Sequence, residues 1–276
     1  MKTKSARSKT SIYIHPTAVV SKEAELGPGV EIAAYAVIGP QVKIGSGTRV
    51  GSHAVIEGQT QIGERCEIFV GACIGMPAQA RNLERVNSSV ILGDENVLRE
   101  YVTVNASMKE GGRTVLGRRN LLMIGSHVAH DCVLGDDITL ANSVALAGHV
   151  TVEDRVMIGG LVGVHQFVRI GKLAMVGGLS KVVMDLAPFS MNDGHPARFC
   201  GLNAVGLRRA GIKTESMTRI KAALKILLGD GHNLERAVPL VEKRFGGDPQ
   251  VRYLLSFIGN SKRGVARATA PKTEED

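Results

Sequence analysis

Residues 32–63 read IAAYAVIGPQVKIGSGTRVGSHAVIEGQTQIG. Ile32, Ile38, Ile44, Val50, Ile56 and Ile62 recur in it at intervals of six. Neither the helical period of 3.6 nor the strand period of 2 yields that spacing, whereas a short strand followed by a turn does. The register extends back through Leu26 and Val20 to Ile14 and forward to Ile68 and Ile74. It returns at Leu92, Leu98 and Val104. It then runs from Leu116 through Leu122, Val128, Leu134, Leu140, Leu146, Val152, Ile158, Val164, Ile170 and Val176 to Val182.

Glycine often follows the aliphatic residue, as at Gly45, Gly51, Gly63, Gly135, Gly159 and Gly171. The fourth residue after it is often small or β-branched: Ala18, Ala36, Thr48, Ala54, Ala72, Cys132. Strand alternation points that residue and the next aliphatic one inward, and the two residues after the aliphatic one turn the corner. Three hexads close one triangular coil, so residues 18 apart stack on successive rungs. The expected fold is an all-β left-handed parallel β-helix of hexapeptide repeats, followed by a small C-terminal α-helical domain.

The expected boundaries are a disordered basic tail over 1–11, the β-helix over 12–186, a helical domain over 187–261 and a disordered tail over 262–276. Residues 76–91 and 105–115 break the repeat and read as projecting loops. Long insertions in a solenoid reach a ligand or a neighbouring subunit, or are tolerated surface. In the helical domain Thr214 is placed as cap of a helix over Glu215 to Leu228. Leu234 to Phe245 and a third helix opened by Asp248-Pro249 follow.

With 276 residues, 44% hydrophobic and only 4% aromatic, the core must be aliphatic. No apolar run reaches the roughly 18 residues of a membrane span, and the opening MKTKSARSKT has no apolar stretch like that of a secretory signal. Cys66, Cys73, Cys132 and Cys200 fall at no framework spacing, which fits reduced thiols in a cytoplasmic protein. The formal charge is +8. It is concentrated in the tails and in residues 203–260, where 10 basic side chains face 5 acidic ones. Little aromatic interleaving and no recognised motif argue against nucleic acid. An acidic protein partner, a phosphorylated small molecule or a solvated helix face remain.

Five of the eight histidines lie between 127 and 195. Stacking by 18 sets His149 on Asp131, and Gly148 then Gln166 on His130, with His165 adjacent and His127 just before the corner. Several imidazoles on one edge suit general-base chemistry, with His130 as base and Asp131 orienting it. Gly148 would offer a backbone N–H to an oxyanion. Zinc is the competing reading, since His127, His130 and Cys132 look like a half-site. The inward position of Cys132 sets it apart from His130, so no metal and no cofactor are expected.

The stretches IGSHVAHDC (124–132), LANSVALAGHV (140–150), IGGLVGVHQF (158–167), MVGGLSKV (175–182) and GLNAVGLRRAGI (201–212) resemble the UDP-N-acetylglucosamine O-acyltransferases that begin lipid A synthesis. The resemblance covers roughly residues 12–265. It implies a cytoplasmic homotrimer with sites between neighbouring coils, transferring a (R)-3-hydroxyacyl group from acyl carrier protein to the sugar 3-hydroxyl without metal. It implies the roles just given for His130, Asp131 and Gly148. His127, His149, His165 and Gln166 would contact sugar, nucleotide or acyl chain. Asn203 and Arg209 would hold the nucleotide, and Met175 and Gly178 would line the acyl groove, the small Gly178 favouring a longer chain. An acidic carrier protein would account for the basic segment.

Departures fall on the acceptor side. The family's Gln-Asp-x-Lys-Tyr stretch is replaced in the first loop by MPAQARNLERVNSS, which retains Gln79 and offers Arg81 or Arg85 as substitute charge. Val205 replaces an acidic residue, Ala210 a second arginine, and His195-Pro196 departs from the family's Asn-His order. The alternatives are an N-acyltransferase acting on a 3-amino UDP-sugar and an inactive β-helical scaffold.

Overall fold

Hexads of the kind Glu31–Ile32, Val37–Ile38, Lys43–Ile44 each contribute a two-residue strand whose second side chain points inward and is buried. In the computed structural model, which describes residues 10–81, 86–229 and 233–269, these strands stack into three parallel sheets. Among the described residues the sheets have 11, 9 and 8 strands, and each strand pairs with the third strand after it except at the end of the first sheet. The first face starts at Tyr13–Ile14, the second at Val19–Val20 and the third at Glu25–Leu26.

Pairing holds the interval of 18: Ile14 faces Ile32, and Ile32 faces Val50. Across the two insertions Ile68 faces Leu98, and Leu98 faces Leu122. Each insertion adds a whole number of hexads, so the aliphatic column continues unbroken through Ile56, Ile74, Val104, Val128 and Leu146, all buried. The loops are shorter than the sequence pattern implies. Strand Ser89–Leu92 begins inside the first, and strand Arg113–Leu116 inside the second.

The corner itself falls one residue later than expected, on the second and third residues after the aliphatic one. The third takes a left-handed backbone even where it is not glycine: Tyr35 (φ 59°), Asp131 (61°), His149 (61°) and Phe167 (65°). Such a residue costs on the order of 1–3 kcal/mol when it has a side chain. The stacked ladders on either side hold it there.

The coil ends in an antiparallel hairpin, Ser190–Gly194 with Ala197–Leu202, in a stretch read from sequence as helical. Among the described residues four α-helices follow: α1 (Ala204–Arg209), α2 (Thr214–Leu224), α3 (Leu234–Phe245) and α4 (Pro249–Gly259). Thr214 is the first residue of α2 rather than its cap, which is Lys213. The helix finishes in a wide π turn, Lys225–Gly229. Asp248 caps α4 by accepting the N–H groups of Gln250 and Val251. Tyr253 of α4 hydrogen-bonds Glu153 on the coil, and Arg169 lies 4.4 Å over the Phe257 ring.

Residues 262–269 are not a loose tail. Val265 and Ala266 are buried, Val265 bridges Asp185, and the Ala266 N–H donates to the Asp185 carbonyl. Residues 1–9 and 270–276, the remainder of the expected tails, lie outside the described residues.

Candidate active site

Both insertions leave the coil between the second and third faces, the first after Cys73–Met76 and the second after Thr103–Asn105. The next rung turns that same corner at His130 and Asp131. The rungs beyond turn it at Gly148 and His149, then at Gln166 and Phe167. The two loops thus stand directly beside a column of polar corner residues.

Asp131 is the hub of the column. Its Oδ1 accepts the Ser107 hydroxyl at 2.5 Å. Its Oδ2 accepts the Met108 N–H at 3.2 Å and faces His130 Nδ1 at 2.9 Å. An ionised carboxylate only accepts, so Nδ1 carries the proton and Nε2 of the neutral ring holds a free lone pair. The Asp131 N–H donates to Thr114 Oγ1 at 2.8 Å. Burial pushes the Asp131 carboxyl up, but hydrogen bonds from Ser107, His130 and Met108 outweigh it and hold the group below the ordinary aspartate range.

His130 lies over Gly148: a Cβ there would stand 2.3 Å from His130 Cε1 and 2.5 Å from Nε2. Only glycine leaves this approach open, and no hydrogen bond among the described residues uses the Gly148 N–H. His149 Nε2 sits 3.7 Å from Asp131 Oδ2. Its ring meets His130 edge-on at 5.2 Å and stacks on Phe167 at 4.6 Å and 6°. Burial holds His149 below the ordinary imidazole value, against the pull of Asp131 and with the help of Lys109 and His130.

His127 points outward on the second face, its Nδ1 2.7 Å from Thr103 Oγ1, and burial lowers its pKa. A groove of about 450 Å³ runs from His127 past Ala145 and Gly163 to His165 and Lys181. Gln166 is exposed at the mouth of the corner.

The remaining expected residues do not gather here within one chain. Gln79 is exposed on the first loop, where Arg85 lies outside the described residues. Met175 belongs to the first face, and Gly178 to the corner between the first and second faces. Asn203 caps α1: its Oδ1 accepts the Gly206 N–H and its Nδ2 donates to the Leu173 carbonyl. Arg209 is exposed at the end of that helix.

Ser107, Met108, Thr114, Phe167 and Lys181 were missed from sequence. Phe167 and Lys181 were findable, lying one interval beyond His149 and Gly163. Ser107 and Met108 sit in an insertion, where no register applies.

Ligating atoms of His130, Asp131 and His149 lie within 4.8 Å of one another. The Asp131 Oδ2 that an ion would need already accepts two N–H groups. Cys132 of the apparent half-site is buried, with Sγ 3.1 Å from the Ala147 carbonyl. The geometry is that of an oriented imidazole base beside a backbone N–H.

A stacked coil presenting such a base on its corner belongs to the acyltransferases built on hexapeptide repeats. Residues 185–266 match the family profile described as UDP-N-acetylglucosamine O-acyltransferase, domain 2, and residues 8–116 match one described as GMPPB C-terminal domain. The acyl-[acyl-carrier-protein]–UDP-N-acetylglucosamine O-acyltransferase of Thermodesulfovibrio yellowstonii is 46% identical over 92% of this chain and 99% of its own. That of Syntrophobacter fumaroxidans is 43% identical over 93% and 100%. The crystal structure of the Bacteroides fragilis UDP-N-acetylglucosamine acyltransferase superposes with a TM-score of 0.89 at 36% identity, over 92% of this chain and all of that one. The chain belongs to the acyl-[acyl-carrier-protein]–UDP-N-acetylglucosamine O-acyltransferase family, and its coil is the left-handed β-helix of that family.

Proposed function

We propose that the protein transfers a (R)-3-hydroxyacyl group from acyl carrier protein to the 3-hydroxyl of UDP-N-acetylglucosamine, the first step of lipid A biosynthesis. The observation that carries this reading is the His130–Asp131 pair lying over Gly148, in a chain that matches relatives of that name along nearly their whole length.

The chemistry follows from the free lone pair on His130 Nε2. It takes the proton of the sugar hydroxyl as that oxygen bonds to the carbonyl carbon of the acyl thioester. Asp131 holds the imidazole in the productive tautomer and stabilises the imidazolium. The Gly148 N–H meets the oxyanion of the tetrahedral intermediate. Collapse breaks the C–S bond, and the imidazolium returns its proton to the leaving thiolate.

His127, His149, His165 and Gln166 line the approach to this centre, and Gln79 is exposed on the first loop beside it. Met175, Gly178, Asn203 and Arg209 stand apart from it in one chain. A homotrimer in which a neighbouring copy supplies the acyl groove and nucleotide contacts accounts for that separation. Action in the cytoplasm, where acyl carrier protein is found, completes the reading. Among the described residues no helix is long and apolar enough to cross a membrane.

The test is a transfer assay with acyl carrier proteins loaded with 3-hydroxyacyl chains of several lengths, offered UDP-N-acetylglucosamine or its 3-amino analogue. An ester product on the first acceptor is expected. Transfer to the amine alone would support N-acylation. Transfer to neither acceptor overturns the proposal.

A further inference from the structure

The catalytic column is assembled from the coil, except that the second insertion reaches Asp131 through the Ser107 hydroxyl and the Met108 N–H. Asp131 is gripped from the second insertion by Ser107, which is itself buried to 2% exposure. A serine hydroxyl has one proton and two lone pairs. Here the Lys109 N–H donates to Ser107 Oγ at 3.0 Å, which occupies an acceptor site and leaves the proton for Asp131 Oδ1 at 2.5 Å. The direction of the bond is therefore set: the hydroxyl donates and the carboxylate accepts.

The surroundings hold Ser107 in that position. A Cβ on Gly112 would stand 2.1 Å from its Oγ, so only glycine leaves it room there. The Ser107 carbonyl accepts the Ser88 hydroxyl at 2.8 Å, and the Asn87 N–H donates to Glu110 Oε2 at 2.9 Å. The returning leg of the first insertion thus braces the second. Sequence periodicity assigns Ser107 no register, and the coil alone would leave Oδ1 of Asp131 to water.

We infer that Ser107 is a positioning residue: by donating to Oδ1 it fixes the plane of the Asp131 carboxylate, so that Oδ2 meets His130 Nδ1. The inference rests on Asp131 being the residue that orients the base. A donor to the ionised form also keeps the carboxyl acidic. Asp131 is faced by His130 on its own corner, His149 on the next rung and the Cys132 thiol inside the coil, with the charge of Lys109 reaching His149. Ser107→Ala removes the hydroxyl donor to Asp131 and, with it, the acceptor of the Lys109 N–H. The Asp131 pKa then rises, which a carbon-13 NMR titration of its carboxyl reads directly.

The experiment compares Ser107→Ala, Ser107→Thr and Asp131→Asn, singly and with Ser107→Ala added to Asp131→Asn. Ser107→Ala is expected to lower kcat roughly tenfold, the scale of one hydrogen bond to a charged group, with the acceptor KM within about twofold. The Asp131 carboxyl titration should move up by about half a unit or more. Ser107→Thr should restore most of both, and Ser107→Ala should cost nothing further on Asp131→Asn. Parental kcat and an unshifted Asp131 titration in Ser107→Ala, with Asp131→Asn impaired, overturn the inference. So does a full second loss in the double variant. Normal turnover by Asp131→Asn would instead sink the role given to Asp131. If Ser107→Ala loses cooperative unfolding, Ser107→Cys, a weaker donor of similar size, carries the same comparison.

Discussion

Two edges of this coil share one backbone and hold their corner residues in opposite surroundings. On the edge between the third and first faces the left-handed positions include Arg65, Glu95, Arg119, Asp137 and Arg155. They form a ladder of alternating charge, with Arg65 2.9 Å from Glu95 and Arg119 2.7 Å from Asp137. On the edge between the second and third faces the same positions carry Asp131, His149 and Phe167. Charge alone does not separate the two, since both contain carboxylates 18 residues from a partner.

The difference lies in cover. Arg119 and Asp137 keep 45% and 34% of their side-chain surface exposed, while His130, Asp131 and His149 keep 18%, 9% and 21%. Among the described residues both insertions leave the coil at the second edge, and the second of them adds the Ser107 and Met108 donors. A solvated ladder is screened by water and salt and contributes little. Under cover the same kinds of group hold each other in defined protonation states. A hexad corner becomes a site when a loop closes over it.

The most severe way to break that contrast is to remove the base. His130→Ala should lower kcat by about 10²- to 10⁴-fold, the range expected of a general base, with the thermal unfolding midpoint close to the parent's. Near-normal turnover in the transfer assay would leave the covered edge no more active than the solvated one.

Gly148→Ala sharpens the point, because it perturbs the column without removing a polar group. The new methyl must push the His130 ring away from Asp131, and misplacement of about 1 Å costs on the order of 10²-fold in rate. Crystals of the variant should show the ring displaced. Full activity with an unmoved ring would mean that the close approach over Gly148 is incidental.

The smallest effect belongs to the other edge. Arg119→Ala removes the centre of the charged ladder, and its turnover should match the parent's. Its melting temperature should shift by no more than about 2 °C, as scanning calorimetry would record. A large loss of activity there would show that the ladder communicates with the site.

Much of this was legible because a solenoid converts sequence spacing into spatial neighbourhood. Knowing the interval of 18 was enough to set His149 by Asp131 and Gly148 by His130, and the ladders hold those pairs in register. The same rule would have found Phe167 and Lys181. It is silent wherever the chain leaves the coil. Ser107 escaped it, as did the hairpin over Ser190–Leu202 and the return of residues 262–269 against Asp185. Asn203 was read as a ligand contact through resemblance, and its side chain is engaged in capping α1.

What the sequence determined by itself was the coil, its interval and the column of corner residues, because a period of six with inward aliphatic residues admits one way of burying them. Tertiary structure alone decided which corner is sheltered, how Asp131 is held and where the helices dock. Those outcomes rest on contacts between segments of unrelated spacing, such as Ser107 with Asp131 and Tyr253 with Glu153. No periodicity encodes such contacts. They exist only once the chain has folded around the coil.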